Sequence, residues 1–185
     1  LHGKIFTRYL VNLEINQQIC IFFKKEGSIN LKLHMNLKII QLGIMHLEDC
    51  LDLDQKSLNG LWTKSQWERE LTDPKRICLG IIELETKKIL GLCSAWSVTN
   101  ELHITLIAVH PMCKRKGLGR FLLSDLIKRS QSLQANHMLL EVKENNEPAK
   151  AFYKSMGFKT VGNRSNFYKD GSDALILNKE INKES

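Results

Sequence analysis

Apolar positions along the chain fall into short runs with two distinct periods, and their order predicts most of the fold. Residues 104–109, Ile-Thr-Leu-Ile-Ala-Val, form a run rich in β-branched residues and short enough for a strand buried on both faces. Pro111 stops it, because proline has no N–H to give a ladder. Beyond Lys114-Arg115-Lys116-Gly117-Leu118-Gly119-Arg120 the period turns helical, with Leu118, Phe121, Leu122, Leu126 and Leu133 near one face. Upstream, Met35 opens an alternating strand over residues 36–40, and residues 45–54 read as a short amphipathic helix with Leu47, Leu51 and Cys50 inward. Residues 58–62 form a loop, and Thr63-Lys64-Ser65-Gln66 is a capping box that starts a helix carrying Trp67 and Leu71. Asp73-Pro74 ends that helix. Strands over residues 77–84 and 89–98, joined by the polar turn 85–88, then lead through Asn100-Glu101 into the opening run. Such a succession predicts an antiparallel meander. Residues 137–142 form a further short strand, Asn146 caps a helix over residues 149–156, Gly157 ends it, and Phe158 resumes a strand.

Residues 1–34 carry no sustained period, only an apolar patch at residues 19–23. The domain proper is expected to span residues 35–181, with residues 182–185 as a tail. The preceding stretch is open to three readings: a poorly ordered extension, a tail docked through residues 19–23, or an upstream region that is not translated. It lacks the length and cleavage signals of a secretory peptide, and its glutamates argue against a transit peptide.

Composition narrows the function classes only partly. At 185 residues the chain fits one domain, large enough for a core without staples. Its five cysteines form no Cys-x-x-Cys pair and read as reduced core thiols of a cytoplasmic protein. The six histidines lack ligand spacing, so no metal site is expected, and no apolar run approaches the length of a membrane span. A net charge of +7 suits an anionic cofactor, an acidic partner or RNA, and does not choose among them.

The glycine segment is more informative. A glycine-rich turn leading into a helix presents backbone N–H groups beside the positive end of the helix dipole, a ready anion site. A phosphate-binding P-loop would need Gly-x-x-x-x-Gly-Lys-Ser/Thr, which is absent, and a dinucleotide fingerprint needs a glycine where Leu122 stands. What remains resembles the pyrophosphate loop of the GCN5-related N-acetyltransferases (GNAT), Gln/Arg-x-x-Gly-x-Gly/Ala, with Lys114 in place of the first Gln or Arg. The block from Glu141 to Phe158, Glu-Val-x-x-x-Asn-x-x-Ala-x-x-Phe-Tyr-x-x-x-Gly-Phe, resembles the second half of the same fold. Three further segments resemble the RimI-type branch, which acetylates the N-terminal alanine of a small-subunit ribosomal protein. These are Leu61-Trp62-Thr63-Lys64-Ser65, Leu106-Ile107-Ala108-Val109, and Arg164-x-x-Phe167-Tyr168-x-Asp170-Gly171-x-Asp173-Ala174.

The resemblance implies an α/β (α+β) fold, a mixed, mostly antiparallel sheet flanked by helices, and acetyl-CoA as cosubstrate. The backbone of Arg115, Lys116, Gly117, Leu118, Gly119 and Arg120 would hold the pyrophosphate. Ile107, Ala108 and Val109 would pair with the pantetheine arm, with the Ile107 amide facing the thioester oxygen, and Asn146 would touch the cofactor. Glu141 matches the general base and Tyr153 the general acid, and Trp62 and Tyr168 flank the acceptor slot. From its residues alone Glu141 reads rather as a solvated strand-end carboxylate; for Tyr153 the alternative is a packing residue beside Phe152, which the matching blocks around it outweigh. The expected partner is the N-terminus of a small-subunit ribosomal protein, met by a monomer that needs no nucleic acid or membrane. Two other functions remain: a related acetyltransferase of a small amine or internal lysine, and a non-catalytic acetyl-CoA-binding or RNA-associated module.

Overall fold

The structure, a computed structural model, describes residues 18–21 and 35–181. In chain order it contains β1 (Gln18–Ile21), β2 (Met35–Gln41), α1 (Leu47–Leu58), α2 (Lys64–Thr72), β3 (Arg76–Glu83), β4 (Ile89–Val98) and β5 (Glu101–Val109). Then follow α3 (Leu118–Ser132), β6 (His137–Lys143), α4 (Glu147–Ser155), β7 (Lys159–Arg164) and β8 (Ala174–Glu180). The strands form a single eight-stranded sheet, ordered β1-β2-β3-β4-β5-β6-β8-β7. Every pairing is antiparallel except β5 with β6, where α3 makes the crossover that a parallel pair requires. Within the expected extension, Gln18–Ile21 pairs with β2 at the sheet edge. The rest of that extension and the tail at 182–185 lie outside the described residues.

Helices cover both sheet faces. α3 and α4 lie over one, with Leu118, Leu122, Leu123 and Leu126 of α3 packed on Leu79, Ile81, Ile104, Met138 and Leu140. α1 and α2 lie over the other, with Leu47, Leu53 and Trp67 packed on Leu92, Leu106 and Ala108. The capping box forms as read: Thr63 accepts from the Gln66 N–H, and the Gln66 side chain accepts from the Thr63 N–H at 2.9 Å. Several inward positions differ from expectation. Leu133 lies past the end of α3 and is 48% exposed, whereas Leu123 is fully buried, because the helix turns its core stripe toward β3 and β4. In α1, Leu53 and Asp54 are buried and Leu51 only partly so, because the helix continues to Leu58 and seats its second half on the sheet.

The run at 104–109 is not buried on both faces. Leu102, Ile104, Leu106 and Ala108 are buried while Thr105 is exposed. A bulge explains the pattern: Ser94 opposes Leu106 and Ala95 opposes Ile104, leaving Thr105 as the extra residue. One extra residue reverses side-chain parity. Leu102 and Ile104 therefore face α3, whereas Leu106 and Ala108 face α1 and α2. The bulge is held from beneath, since the Thr105 hydroxyl donates to the Ser94 carbonyl at 3.1 Å. The Ser94 hydroxyl in turn donates to buried Glu70 of α2 at 2.6 Å.

A second buried carboxylate fixes the α1–α2 connection. Asp54, 1% exposed, accepts from the N–H groups of Leu61 and Trp62 and from the Trp67 indole, each at 2.9 Å. Asp54→Ala would leave three donors unpaired and should cost about 3 kcal/mol in urea unfolding. Asp52→Ala, which removes only an exposed i,i+4 pair with Lys56, should cost about 0.5 kcal/mol or less. Equal effects of the two substitutions would show that Asp54 does not anchor the loop.

Candidate active site

The parallel ladder between β5 and β6 runs from Glu101 opposite His137 to Ile104 opposite Leu140 and ends there. Past the bulge at Thr105 the two strands part. Ile107 and Val109 turn their backbone groups away from β4 toward the gap, whereas Ala108, in step with His110, turns its own toward β4. An extended ligand could pair with the backbone of Ile107 and Val109 as an added strand would.

β5 delivers the chain into the glycine turn. His110 accepts from the Met112 N–H through its ring, which sets the short 3₁₀ turn Pro111–Cys113. Arg115 and Gly117 then take left-handed conformations, φ 62° and 84°. For Arg115, which has a side chain, this is a strained position of the kind found at ligand clamps. Gly117 is the N-cap of α3 and offers no side chain to its first N–H groups, those of Leu118, Gly119 and Arg120. A Cβ at Gly117 would meet nothing within 4 Å, so a ligand can approach the backbone there. Gly119 packs the first turn of α3 close to Val109 and Phe152. Arg120 donates to the Ser155 hydroxyl at 2.8 Å, which ties the start of α3 to the end of α4. The Asn146 side chain caps α4 by accepting from the Ala149 N–H at 3.2 Å. The cation-rich turn, the uncapped helix start and the one-sided β5 edge together fit a nucleotide diphosphate carrying an extended arm.

Glu141 and Tyr153 stand on opposite faces of the sheet. Met138, Leu140 and Val142 of β6 are buried toward α3, so Glu141 points to the other face. There it is paired with Arg164 of β7, Nη1 to Oε1 at 3.2 Å. The solvated-carboxylate reading thus gives way to a partly buried, paired one. Tyr153 packs with Phe152 and Phe158, ring centroids 5.1 and 5.6 Å away. Burial pushes its phenol well above the ordinary value, and Cys93 and Tyr168 act in the same direction. Cys93 opposes Ile107 in the ladder, so Tyr153 looks onto the β5 segment beside the gap.

Tyr168 connects the two faces. Its hydroxyl is also raised, first by burial and then by Glu141 and Asp170. Glu141 and Tyr153 are thus both within electrostatic reach of Tyr168. The loop bearing Tyr168 is tied to β6 by Lys143, which pairs with Asp170 at 2.5 Å and lies 5.0 Å over the Tyr168 ring. That contact, with help from Ser172, holds the Asp170 carboxyl well below the usual range. Trp62 sits on the α1–α2 side, half-buried and edge-to-face against Trp67 at 4.8 Å. The structure therefore places Glu141 and Tyr153 on opposite faces of the sheet, Tyr168 on the loop tied to β6 by Lys143, and the glycine turn at the end of β5.

Sequence reading did not single out Arg164 as a partner of Glu141. The available signal was two-residue periodicity, which puts Glu141 and Lys143 on one face of β6 opposite Ile176 and Ala174. A separate concavity of about 640 Å³ lies between α4 and β7, lined by Lys150, Lys154, Phe158, Lys159 and Leu177. It contains none of the candidate site residues. Among the described residues no group of three or more His, Cys, Asp or Glu could hold a metal ion.

Residues 45–158 match the model of the acetyltransferase (GNAT) family. A candidate ribosomal protein bS18-alanine N-acetyltransferase of Bacillus subtilis is 32% identical over 142 residues, covering 75% of this chain and 93% of that protein. The ribosomal protein bS18-alanine N-acetyltransferase of Escherichia coli K12 is 37% identical over 94 residues, 47% of this chain and 64% of that one. Among solved structures, the ribosomal-protein-S18-alanine N-acetyltransferase from Escherichia coli superposes with a TM-score of 0.73 at 26% identity, covering 80% of this chain and 96% of that chain. Arabidopsis thaliana NAA60 in complex with acetyl-CoA gives a TM-score of 0.71 at 14% identity over 78% of this chain and 98% of that one, a likeness of fold.

The raised Tyr153 hydroxyl makes a stability prediction. Its folded pKa lies above the unfolded value of about 10, so the stabilisation from keeping it neutral is complete below pH 10 and is lost as pH rises through the folded value. Between those limits the unfolded chain binds fewer protons than the folded one. Urea stability should therefore fall more steeply above pH 10 in the wild type than in Tyr153→Phe, as equilibrium unfolding at several alkaline pH values would show. Parallel slopes would place this phenol in water.

Proposed function

The chain belongs to the acetyltransferase (GNAT) family, whose members are N-acetyltransferases using acetyl-CoA, and we propose that its acceptor is an N-terminal α-amine, that of an alanine-initiated small-subunit ribosomal protein. The observation that carries this reading is the gap between β5 and β6, with the glycine turn at the end of β5 and Glu141 opening to the opposite face. The relatives that act on ribosomal protein bS18 support the choice of acceptor. The same reading assigns catalysis to the domain at 35–181, acting as a cytoplasmic monomer without nucleic acid.

Acetyl-CoA supplies the acetyl group as a thioester. The backbone N–H groups of residues 115–120 bind its pyrophosphate, and Ile107, Ala108 and Val109 align its arm. The Ile107 N–H stabilises the oxygen that gains charge as the C–N bond forms, a contribution of about 3 kcal/mol for such a donor. Glu141 accepts the proton leaving the α-amine, through a water molecule. Tyr153 donates a proton to the thiolate as the C–S bond breaks. Burial makes the phenol a weaker acid, so its proton transfer to the thiolate is uphill and relies on positioning. An α-amine with a pKa near 8 is neutral in about a tenth of molecules at pH 7, and a lysine amine near 10.4 in well under a thousandth. A modest base therefore serves the first and not the second. Asn146 holds α4 where it carries Tyr153, and Trp62 and Tyr168 bound the acceptor slot.

Incubation with acetyl-CoA and short peptides tests this directly. Robust acetylation of an Ala-initiated peptide is expected, with weaker activity on Ser and almost none on Leu or on a blocked peptide carrying a free lysine. Comparable rates on the blocked peptide would transfer the assignment to lysine or small amines. Glu141→Gln should lower kcat/KM about 100-fold or more at pH 7 and recover partly as pH rises and free amine accumulates. Tyr153→Phe should lower kcat with little change in cofactor affinity; full activity would make it a packing residue. Gly117→Asp should fold yet lose acetyl-CoA binding by calorimetry, because it sets a carboxylate in the open space above the helix start. Binding of acetyl-CoA or RNA without turnover of any amine by the unmodified protein would leave the non-catalytic module.

A further inference from the structure

We infer from the geometry that the Arg164 guanidinium occupies the side of Glu141 where the acceptor's α-ammonium and the water that relays its proton must sit, so that acceptor binding exchanges one cation for another beside the same carboxylate. The inference rests on the α-amine reading above.

Arg164 is the last residue of β7 and sits opposite Ala174 of β8, which in turn opposes Lys143 of β6. Its side chain crosses β8 diagonally to reach Glu141, which opposes Ile176. The contact is a single one, Nη1 to Oε1 at 3.2 Å, with no second nitrogen engaged among the described contacts. The Arg164 side chain is 53% exposed and that of Glu141 24%. A half-exposed ion pair held by one contact shifts an equilibrium by at most about fivefold, so it is weak enough to be exchanged. The guanidinium also lies 5.5 Å over the Phe167 ring, a contact that does not depend on Glu141.

The neighbouring charges do not offer Glu141 an alternative cation. Lys143, on the same strand, is committed to Asp170 and to the Tyr168 ring. Tyr168 and Asp170, on the loop facing Glu141, are a phenol and an acid. His137, at the far end of β6, is 3.5 Å from Asn178. Arg164 is therefore the cation that Glu141 meets before the acceptor arrives.

The chemical consequence follows from arginine's basicity. A guanidinium does not give up its proton near neutral pH, so a carboxylate paired with it has no proton to receive. An α-ammonium there brings a proton that can move to the carboxylate through the intervening water. Specificity follows as well: an acceptor that is cationic at its first nitrogen replaces Arg164, whereas a blocked, neutral terminus does not.

The test measures affinity without turnover, by calorimetric titration of an Ala-initiated peptide into protein saturated with CoA. Arg164→Gln should bind the peptide about three- to fivefold more tightly than wild type, with Arg164→Lys between them. Arg164→Met, which keeps an apolar stem near Phe167, carries the same expectation if Arg164→Gln fails to fold. The gain should vanish for the Nα-acetylated peptide and in a Glu141→Gln background, since neither then offers the charge exchange. Unchanged or weaker binding in folded Arg164→Gln or Arg164→Met, while wild type binds the peptide, overturns the exchange and makes Arg164 a positioning residue. An equal gain in the Glu141→Gln background overturns it too. Failure of wild type to bind any free-amine peptide instead overturns the α-amine reading on which the inference stands.

Discussion

The site depends on a sheet that stops being continuous in its middle. A parallel pair with a helical crossover ordinarily keeps its ladder, yet here β5 and β6 separate after Ile104 and Leu140. The extra residue Thr105 is the local cause, because a bulge bends its strand and increases its twist. Backbone groups in a protein interior are costly to leave unpaired, so a parted ladder persists only where something else can satisfy it. An extended thioester arm is the partner proposed above, and the parted strands leave the outward backbone of Ile107 and Val109 open to it.

What holds the bulge is buried charge on the opposite layer. Glu70 receives the Ser94 hydroxyl and pairs with Arg76 at 3.4 Å, and Ser94 receives Thr105, so α2 is linked to the irregular point of β5. Asp54 does the equivalent for the α1–α2 connection, ordering Trp62 by three N–H donors. Two carboxylates that touch no candidate reacting group thus shape the wall on the acceptor side. The other face supplies apolar packing and the cofactor turn. The proposed base Glu141 and the helices α3 and α4 lie on opposite faces of the sheet.

Much of this was legible in the residues. The Thr63–Gln66 capping box, the meander of β2 to β5 and the cap at Asn146 each follow from local rules, and the structure has them where those rules put them. The glycine turn was legible as an anion site, and the family resemblance assigned it a ligand. The bulge was not legible, because Ile-Thr-Leu-Ile-Ala-Val reads as an unbroken strand and parity reversal depends on β4. Nor was the Glu141–Arg164 pair, which joins residues two strands apart whose register is set by β8. Asp54 was not singled out for a related reason: a carboxylate in a helix gives no sign of the loop that folds back on it.

The central claim is that the parted strand and the uncapped helix start form one binding surface for acetyl-CoA. Amide proton–nitrogen NMR spectra recorded during acetyl-CoA titration test it most directly. The largest shifts should fall on Ile107 and Val109 of β5 and on Gly117, Leu118, Gly119 and Arg120, all following a single saturation curve. Shifts confined to the lysine-lined concavity between α4 and β7, with the β5 and glycine-turn amides unmoved, would contradict it.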